Sequence, residues 1–303
     1  MKTKPTSLRV AAAQLTPSYL DLEGTLEKAC AAIAEAAAGG ARLVVFPEVF
    51  LSGYPDWCWV VPNYRGDVLN PLYQRLLDNA VSVPDGATEQ ICKAARKHKI
   101  HVVMGLHERN SEASGASLFN SLLFIDDRGE ILGRHRKLIP TGAERLIWGR
   151  GPGGDLKVFR TSVGKVGGLI CWENYMPLAR QVLYDQGVQI LAAPTWDKSD
   201  NWLLSMRHIA REGGTFVISC CMALRFEDLP EDAGFREFYP SERVWVNPGN
   251  SCIIDPLGRI VAGPLSEAEG LLFADLDMTL IAAAKRLFDV AGHYAWRASG
   301  IGR

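Results

Sequence analysis

The chain has 303 residues, of which 48% are hydrophobic and 22% are charged. These proportions are ordinary for a globular protein, and the length permits one large α/β domain. With 33 basic and 34 acidic residues, the formal net charge is -1. This balance argues against a nucleic-acid-binding protein, because such proteins normally carry a basic excess.

The seven cysteines occur at irregular positions and include no C-x-x-C pair. Their pattern argues against a zinc ribbon or a thioredoxin-like site and favours reduced thiols in a cytoplasm. The first residues lack the apolar core of a signal peptide, and no apolar run approaches the roughly 18 residues that a membrane helix needs. We therefore expect a cytoplasmic protein that has neither a membrane nor a nucleic acid as partner.

The first half of the chain alternates apolar runs with helical patterns. Short apolar runs that end at turn residues predict strands, and the Ala-rich run that stops at Gly39 and Gly40 predicts a helix. Strands are predicted at 8–14, 42–46, 101–106, 118–125 and 130–135, and helices at 22–38 and 88–99. The chain therefore opens as strand, helix and strand.

The second half continues this pattern but contains more hairpins. Strands are predicted at 158–161, 165–170, 189–193, 215–221, 251–255, 259–262 and 270–275, helices at 177–186, 201–212 and 278–286, and loops at 52–70, 139–156 and 225–250. Hairpins among α/β units imply mixed sheets. Two such sheets, each with helices on one face, would stack as a four-layer α-β-β-α sandwich.

No low-complexity linker divides the chain. We expect a single domain over residues 1–303, with a core at about 8–278 and a short C-terminal tail at 279–303.

Three reactive side chains follow strongly apolar predicted strands: Glu48 in V-V-F-P-E, Lys137 in G-R-H-R-K-L and Cys171 in G-G-L-I-C-W-E-N. α/β proteins tend to place their sites at such strand ends. Taken singly, each side chain has an ordinary structural interpretation. Free cysteines are commonly inert core residues, a glutamate can simply solvate a strand end, and a basic run is usually a hydrated surface.

Together these three side chains make chemical sense as one site. A thiol is mostly protonated at neutral pH and is then a weak nucleophile, so Glu48 would supply the base that takes its proton. Lys137 would supply a fixed cation for negative charge that develops on the substrate. The set predicts attack on a nitrile or amide carbon, followed by release of the covalent intermediate by water.

Other catalytic motifs are absent from the sequence. It contains no G-x-S-x-G nucleophile elbow, and it has neither a P-loop, a G-x-G-x-x-G turn after a strand nor an H-E-x-x-H zinc motif. The six histidines are scattered, so we expect no metal site.

Three longer segments surround the reactive residues. They are F-P-E-V-F-L-S-G-Y-P from residue 46, H-R-K-L-I-P-T-G-A-E-R-L-I-W-G from residue 135 and G-L-I-C-W-E-N-Y-M-P-L-A-R from residue 168. In sequence and in order they resemble the nitrilase superfamily of carbon–nitrogen hydrolases. The resemblance extends over roughly residues 8–294.

The resemblance implies an α-β-β-α sandwich that assembles into homo-oligomers. It implies Glu48 as the general base, Lys137 as the cation for the intermediate and Cys171 as the nucleophile. Glu144, in the same segment as Lys137, matches a second glutamate that orients the site. No cofactor or metal is implied, and the expected partners are a small-molecule nitrile and further copies of the chain.

The residues that follow Cys171 distinguish the branches of the superfamily. C-W-E-N-Y-M-P resembles the true nitrilase branch, whereas amidases commonly carry Tyr-Asp or similar there. The resemblance therefore implies hydrolysis of an organic nitrile to its acid and ammonia, through a cysteine thioimidate and a thioester. The alternatives are an amidase or carbamoylase with the same residues, a cyanide-hydrolysing variant and a non-catalytic scaffold.

Aromatic residues near these segments are candidates for the substrate pocket. Tyr54, Trp172 and Trp196 are predicted to line it, and Trp57 and Trp59 are further candidates. Core packing is the alternative for each of them. Aromatic rings offer large apolar faces with one polar group, so such a pocket would suit aryl or arylalkyl nitriles and would also hold aliphatic ones. The short tail leaves the size of the assembly open.

Overall fold

A computed structural model describes residues 7–240, 242 and 244–295. The strands are β1 Ser7–Gln14, β2 Leu43–Val45, β3 His101–Arg109, β4 Leu118–Ile125, β5 Ile131–Arg136, β6 Phe159–Thr161, β7 Gly164–Gly168, β8 Ile190–Thr195, β9 Phe216–Cys221, β10 Ala223–Arg225, β11 Trp245–Ile254, β12 Ile260–Ser266 and β13 Gly270–Asp277. The helices are α1 Leu22–Ala38, α2 Trp57–Val60, α3 Gly66–Asp78, α4 Gly86–His98, α5 Pro177–Asp185, α6 Asp200–Gly213 and α7 Thr279–Leu287.

The strands form two mixed sheets. The first has the order β13-β1-β2-β3-β4-β5 and the second β10-β11-β9-β8-β7-β6, with β12 paired to β11. Strands β1, β2 and β3 are parallel to one another, and so are β7, β8 and β9. Each sheet therefore has an edge at which several parallel strands end together, as a site between strand ends requires.

The side chains of each strand alternate between two layers of core. On β1, Val10 and Ala12 belong to the core between the two sheets, whereas Ala11 and Ala13 pack with residues of α1 and α4. On β8, Leu191 packs with residues of α5 and α6. Helices therefore cover the outer face of each sheet, and the predicted four-layer α-β-β-α sandwich is confirmed.

Helix α1 shows how the sequence builds an outer layer. The Asp21 carboxylate accepts the Gly24 N–H at 3.1 Å and caps the first turn. The buried face contains Ala29, Ala32 and Ala36. These small side chains let the helix lie close to the sheet that it covers.

Two of the three segments predicted as loops contain regular structure. Segment 52–70 includes α2 and the start of α3, and segment 225–250 includes the first part of β11. Residues 66–70 were predicted as part of a loop, but they form the start of α3. Pro62 and Pro71 favour a loop in this region, and the residues that α3 buries, Leu72 and Leu76, come later in the chain. The third segment, 139–156, contains only short 3-10 turns.

The predicted C-terminal tail at 279–303 begins as α7, and its residues 296–303 lie outside the described residues. Residues 1–6, on which the expectation about a signal peptide depends, lie outside them as well. In the part of the chain that the structure describes, no helix is long and apolar enough to cross a membrane.

Candidate active site

Glu48 lies just past β2, where a proline ends the strand. The turn packs so tightly on β3 that a Cβ atom at Gly105 would lie 2.0 Å from the Pro47 carbonyl oxygen. Only glycine fits at this position. The next residue, Val49, has a φ of +44°, which is strained for a β-branched residue. The surrounding packing therefore holds Glu48 in a defined place at some energetic cost.

Lys137 directly follows β5 in the same sheet and is fully buried. Its ammonium donates to Glu48 Oε1 at 2.8 Å and to Glu144 Oε2 at 2.7 Å. Asn120 on β4 also donates to Glu48 Oε1, at 2.8 Å. Glu48 Oε2, by contrast, is buried without a hydrogen-bond partner among the described residues. One oxygen of this carboxylate is thus occupied and the other is available.

Glu144 lies in a 3-10 turn, Gly142–Leu146, and its carboxylate is fully engaged. Besides the Lys137 ammonium, it accepts the Tyr54 hydroxyl at 2.7 Å and the Thr141 N–H at 2.6 Å. With three donors on two oxygens, this carboxylate is suited to fixing the position of Lys137.

Cys171 follows β7 in the second sheet and starts a 3-10 turn. Its φ is +51°, a left-handed conformation that few non-glycine residues adopt outside functional or tightly constrained turns. The Thr195 hydroxyl donates to the Cys171 Sγ at 3.3 Å. The Asn174 amide donates to the Cys171 and Leu169 carbonyl oxygens, both at 2.9 Å. These bonds hold the turn that presents the thiol.

Burial and neighbouring charges together shift the pKa values of these groups. Burial raises the pKa of the Cys171 thiol, Glu48 raises it further and Lys137 opposes the rise. Burial also raises the pKa of Glu48, although Lys137 lowers it. For Lys137, burial lowers the pKa, but Glu48 and Cys171 outweigh burial and the pKa rises. Burial therefore favours the protonated form of the Cys171 thiol, and the neighbouring carboxylates favour the charged form of Lys137.

Glu173 joins the two sheets next to the site. Its Oε1 accepts the Leu138 N–H at 2.6 Å, just past β5, and its Oε2 accepts the Ile170 N–H at 2.6 Å, just past β7. His135 on β5 also contacts both oxygens, at 3.1 and 3.0 Å. One buried carboxylate therefore sets the spacing between the segments that carry Lys137 and Cys171.

Replacing Glu173 with glutamine is expected to weaken this link. A glutamine has one acceptor oxygen where two backbone N–H groups need acceptors, so one of them stays unpaired, at a cost of about 1–3 kcal/mol. We expect a lower urea midpoint and a reduced kcat. Urea unfolding and steady-state kinetics would measure both, with Glu231→Gln as a control, since that side chain is 91% exposed. An unchanged urea midpoint would contradict this role.

A cavity of about 430 Å³ opens onto the thiol. It is lined by Tyr54, Trp59, Thr141, Glu144, Cys171, Trp172, Trp196, Asp197, Lys198 and Ser199. The structure therefore brings three predicted pocket residues, Tyr54, Trp172 and Trp196, together with Trp59. Trp57 does not line this cavity and instead packs in the neighbouring core.

Hydrogen bonds orient the aromatic walls of the cavity. The Tyr54 and Trp196 rings stack with centroids 4.4 Å apart. The Trp196 indole N–H donates to Asp56 at 3.0 Å, and the Trp172 indole N–H donates to Asp197 at 2.9 Å. The cavity is thus a preformed aromatic chamber with one thiol at its base.

Within residues 7–240, 242 and 244–295, no group of three or more histidine, cysteine, aspartate or glutamate side chains could hold a metal ion. The site is composed of a thiol, two carboxylates and one ammonium.

A family model described as Carbon-nitrogen hydrolase matches residues 9–286. The chain belongs to the carbon-nitrogen hydrolase family. Glu48, Lys137, Glu144 and Cys171 all lie within the matched range, so the site described above is in the family's domain.

Named relatives are identical to this carbon-nitrogen hydrolase at about two-fifths of the aligned positions. It is 42% identical to Nitrilase 2 of Arabidopsis thaliana over 96% of this chain and 86% of that protein. It is 43% identical to an aliphatic nitrilase of Sinorhizobium fredii over 96% of this chain and 93% of that protein. Among solved structures, Saccharomyces cerevisiae Nit3, a member of branch 10 of the nitrilase superfamily, superposes with a TM-score of 0.76. That match covers 96% of this chain and 97% of the yeast chain at 21% identity, and it shows the shared fold.

Sequence reasoning missed four residues that hold the site of this carbon-nitrogen hydrolase together. They are Asn120, His135, Glu173 and Thr195. Glu173 lies inside the segment that begins at residue 168, and His135 begins the segment that contains Lys137. Their positions in these segments could therefore have identified them as site residues. Asn120 and Thr195 lie within strands and carry no local signal.

Proposed function

We propose that this carbon-nitrogen hydrolase converts an organic nitrile into its carboxylic acid and ammonia, with Cys171 as the nucleophile. The observation that carries the proposal is the buried Glu48 Oε2, which has no partner among the described residues. Glu48 also exerts the largest electrostatic effect on the Cys171 thiol after burial. An unpaired carboxylate oxygen near a protonated thiol is what a general base needs.

In the proposed first step, Glu48 takes the thiol proton and the Cys171 Sγ bonds to the nitrile carbon. The nitrile nitrogen takes this proton from Glu48 and becomes the imine nitrogen of a thioimidate, which returns Glu48 to its carboxylate form. Two N–H groups of Lys137 are engaged by Glu48 and Glu144. The third N–H has no acceptor among the described residues, and it would stabilise the charge on the nitrogen.

Water completes the proposed reaction in two further steps. The first water adds to the thioimidate carbon, and the tetrahedral intermediate expels ammonia to leave a thioester. The second water, deprotonated by Glu48, hydrolyses the thioester to the acid and restores the thiol. Glu144 remains hydrogen bonded to Lys137, Tyr54 and Thr141 and acts as the residue that positions the ammonium.

The nitrile is preferred to an amide as substrate because the named relatives at 42% and 43% identity are nitrilases. We propose that Tyr54, Trp59, Trp172 and Trp196 form the binding walls for its organic body. Their indole and phenol rings offer apolar faces to the cavity, and their polar atoms are engaged elsewhere.

We also propose one domain for the chain, self-association into homo-oligomers and a cytoplasmic location. The family match over residues 9–286 supports a single domain. Leu178 and Leu204, on α5 and α6, are exposed by 79% and 59%, and we propose them as part of the interface between copies. All seven cysteines are free thiols, which supports a reducing compartment.

The function is tested by ammonia release from aliphatic, aryl and arylacetonitriles and from the matching amides. We expect ammonia from nitriles, with a ranking that reports the shape of the aromatic cavity. Ammonia from the amides alone would identify an amidase and refute the proposal. Ammonia from neither class would refute hydrolysis of these compounds and favour a non-catalytic role.

A further inference from the structure

A second depression adjoins the catalytic cavity. This outer groove has a volume of about 530 Å³. Its wall is formed by Trp59, Ile139, Pro140, Thr141, Gly142, Arg145, Trp172, Glu173 and Met176. Three of these residues, Trp59, Thr141 and Trp172, also line the catalytic cavity. The outer groove is thus a continuation of the site beyond its aromatic wall.

Trp59 is held in a fixed position where the two spaces meet. Its indole N–H donates to the Tyr54 hydroxyl at 3.0 Å. Its ring lies against Gly142, where φ is +52° and a Cβ atom would lie 2.8 Å from a ring carbon. Only glycine suits this contact. Trp59 and Trp172 are nevertheless 46% and 49% exposed, so each offers a ring face on which an aromatic substrate can stack.

Arg145 provides the free charge of the outer groove. Its Nε donates to the Pro140 carbonyl oxygen at 3.1 Å, and among the described residues it forms no ion pair. The other charged group in the wall is Glu173, whose carboxylate is buried and already accepts the Leu138 and Ile170 N–H groups. The outer groove therefore presents apolar and aromatic surface with one exposed cation.

The catalytic centre has the opposite balance of charge. Glu48 and Glu144 are paired with a single ammonium, that of Lys137. The other two charged residues of the cavity wall, Asp197 and Lys198, offset each other. An anionic group on the substrate would be repelled near Cys171 and attracted by Arg145. A long substrate avoids this conflict when its nitrile lies at Cys171 and its anion lies in the outer groove.

We infer that the outer groove binds the far end of the substrate and that Arg145 selects aryl or arylalkyl nitriles that carry a carboxylate opposite the nitrile. This inference rests on the proposed function and adds a substrate class to it. The aromatic body stacks against Trp59 and Trp172, and the carboxylate pairs with the guanidinium. Because Arg145 is exposed, solvent limits the preference to a factor of about three to five.

The test compares para-(cyanomethyl)benzoate with para-tolylacetonitrile, which share the same body but differ in charge at the far end. We expect the wild type to favour the anionic nitrile in kcat/KM at low salt by about threefold to fivefold. Added salt should reduce this preference by screening the charges. Arg145→Gln should bring the ratio of the two kcat/KM values to one or below, and Arg145→Lys should retain most of it.

Arg150→Gln is the matched control, because Arg150 is exposed in the same segment but does not line the outer groove. It should keep the wild-type ratio. A wild-type ratio of one or below, or the same ratio in Arg145→Gln, would overturn the inference. If propionitrile releases ammonia but neither aromatic nitrile does, the inference about Arg145 fails and the proposed function stands. If no nitrile releases ammonia, the proposed function fails and the inference fails with it.

Discussion

Cys171→Ala is expected to lower nitrile hydrolysis by at least about ten-thousandfold, because removal of a nucleophile abolishes the covalent route. The fold should persist, since alanine keeps the Cβ atom and the backbone conformation at this position. The Thr195 hydroxyl loses its sulfur acceptor, which costs little. Ammonia release from an arylacetonitrile and far-UV circular dichroism would measure the two effects.

Cys221→Ala is the matched control for this variant, since Cys221 is also buried and is the last residue of β9, a parallel strand of the second sheet. Its replacement should leave most of the activity. Substantial hydrolysis by Cys171→Ala, at a rate within tenfold of the wild type, would show that another group attacks the substrate.

Lys137→Met is expected to reduce both stability and catalysis. The variant leaves Glu48 and Glu144 buried without their shared ammonium, and breaking a buried ion pair in this way typically costs about 3–5 kcal/mol. Loss of the cation that stabilises the developing charge should lower kcat about a hundredfold to a thousandfold. Urea unfolding and steady-state kinetics would measure the two losses separately.

The double variant Lys137→Met with Glu48→Gln separates the two effects. It removes one of the two unpaired carboxylates, so it should regain part of the stability of Lys137→Met and none of its activity. If the double variant is no more stable than Lys137→Met, the buried charges are not the reason for the loss.

The order of elements and the site were predictable where the signal was local. Apolar runs such as 8–14 and 118–125 agree with β1 and β4, because a strand that is covered on both faces is apolar over most of its length. Glu48 and Cys171 were identifiable because each follows such a run, and Lys137 was identifiable because it directly follows a predicted strand, β5. The fold then brings these strand ends together.

Other features depend on contacts between distant parts of the chain. The hydrogen bond from Asn120 to Glu48 joins residues in different strands, and Thr195 meets Cys171 across the second sheet. The need for glycine at position 105 is apparent only from the fold, in which the Pro47 carbonyl oxygen lies beside it. The sequence also left open which tryptophans line the pocket. Neighbours from distant segments determine that Trp57 packs in the core and that Trp59 lines the cavity.

The central claim is that the substrate becomes covalently attached to Cys171. The most direct measurement is an acid quench of the wild type during turnover of an arylacetonitrile, followed by peptide mass spectrometry of all seven cysteines. We predict that the acyl or imidoyl group is attached to the peptide that contains Cys171. Turnover with an adduct on a different cysteine, or with Cys171 unmodified at every quench time, would contradict the account.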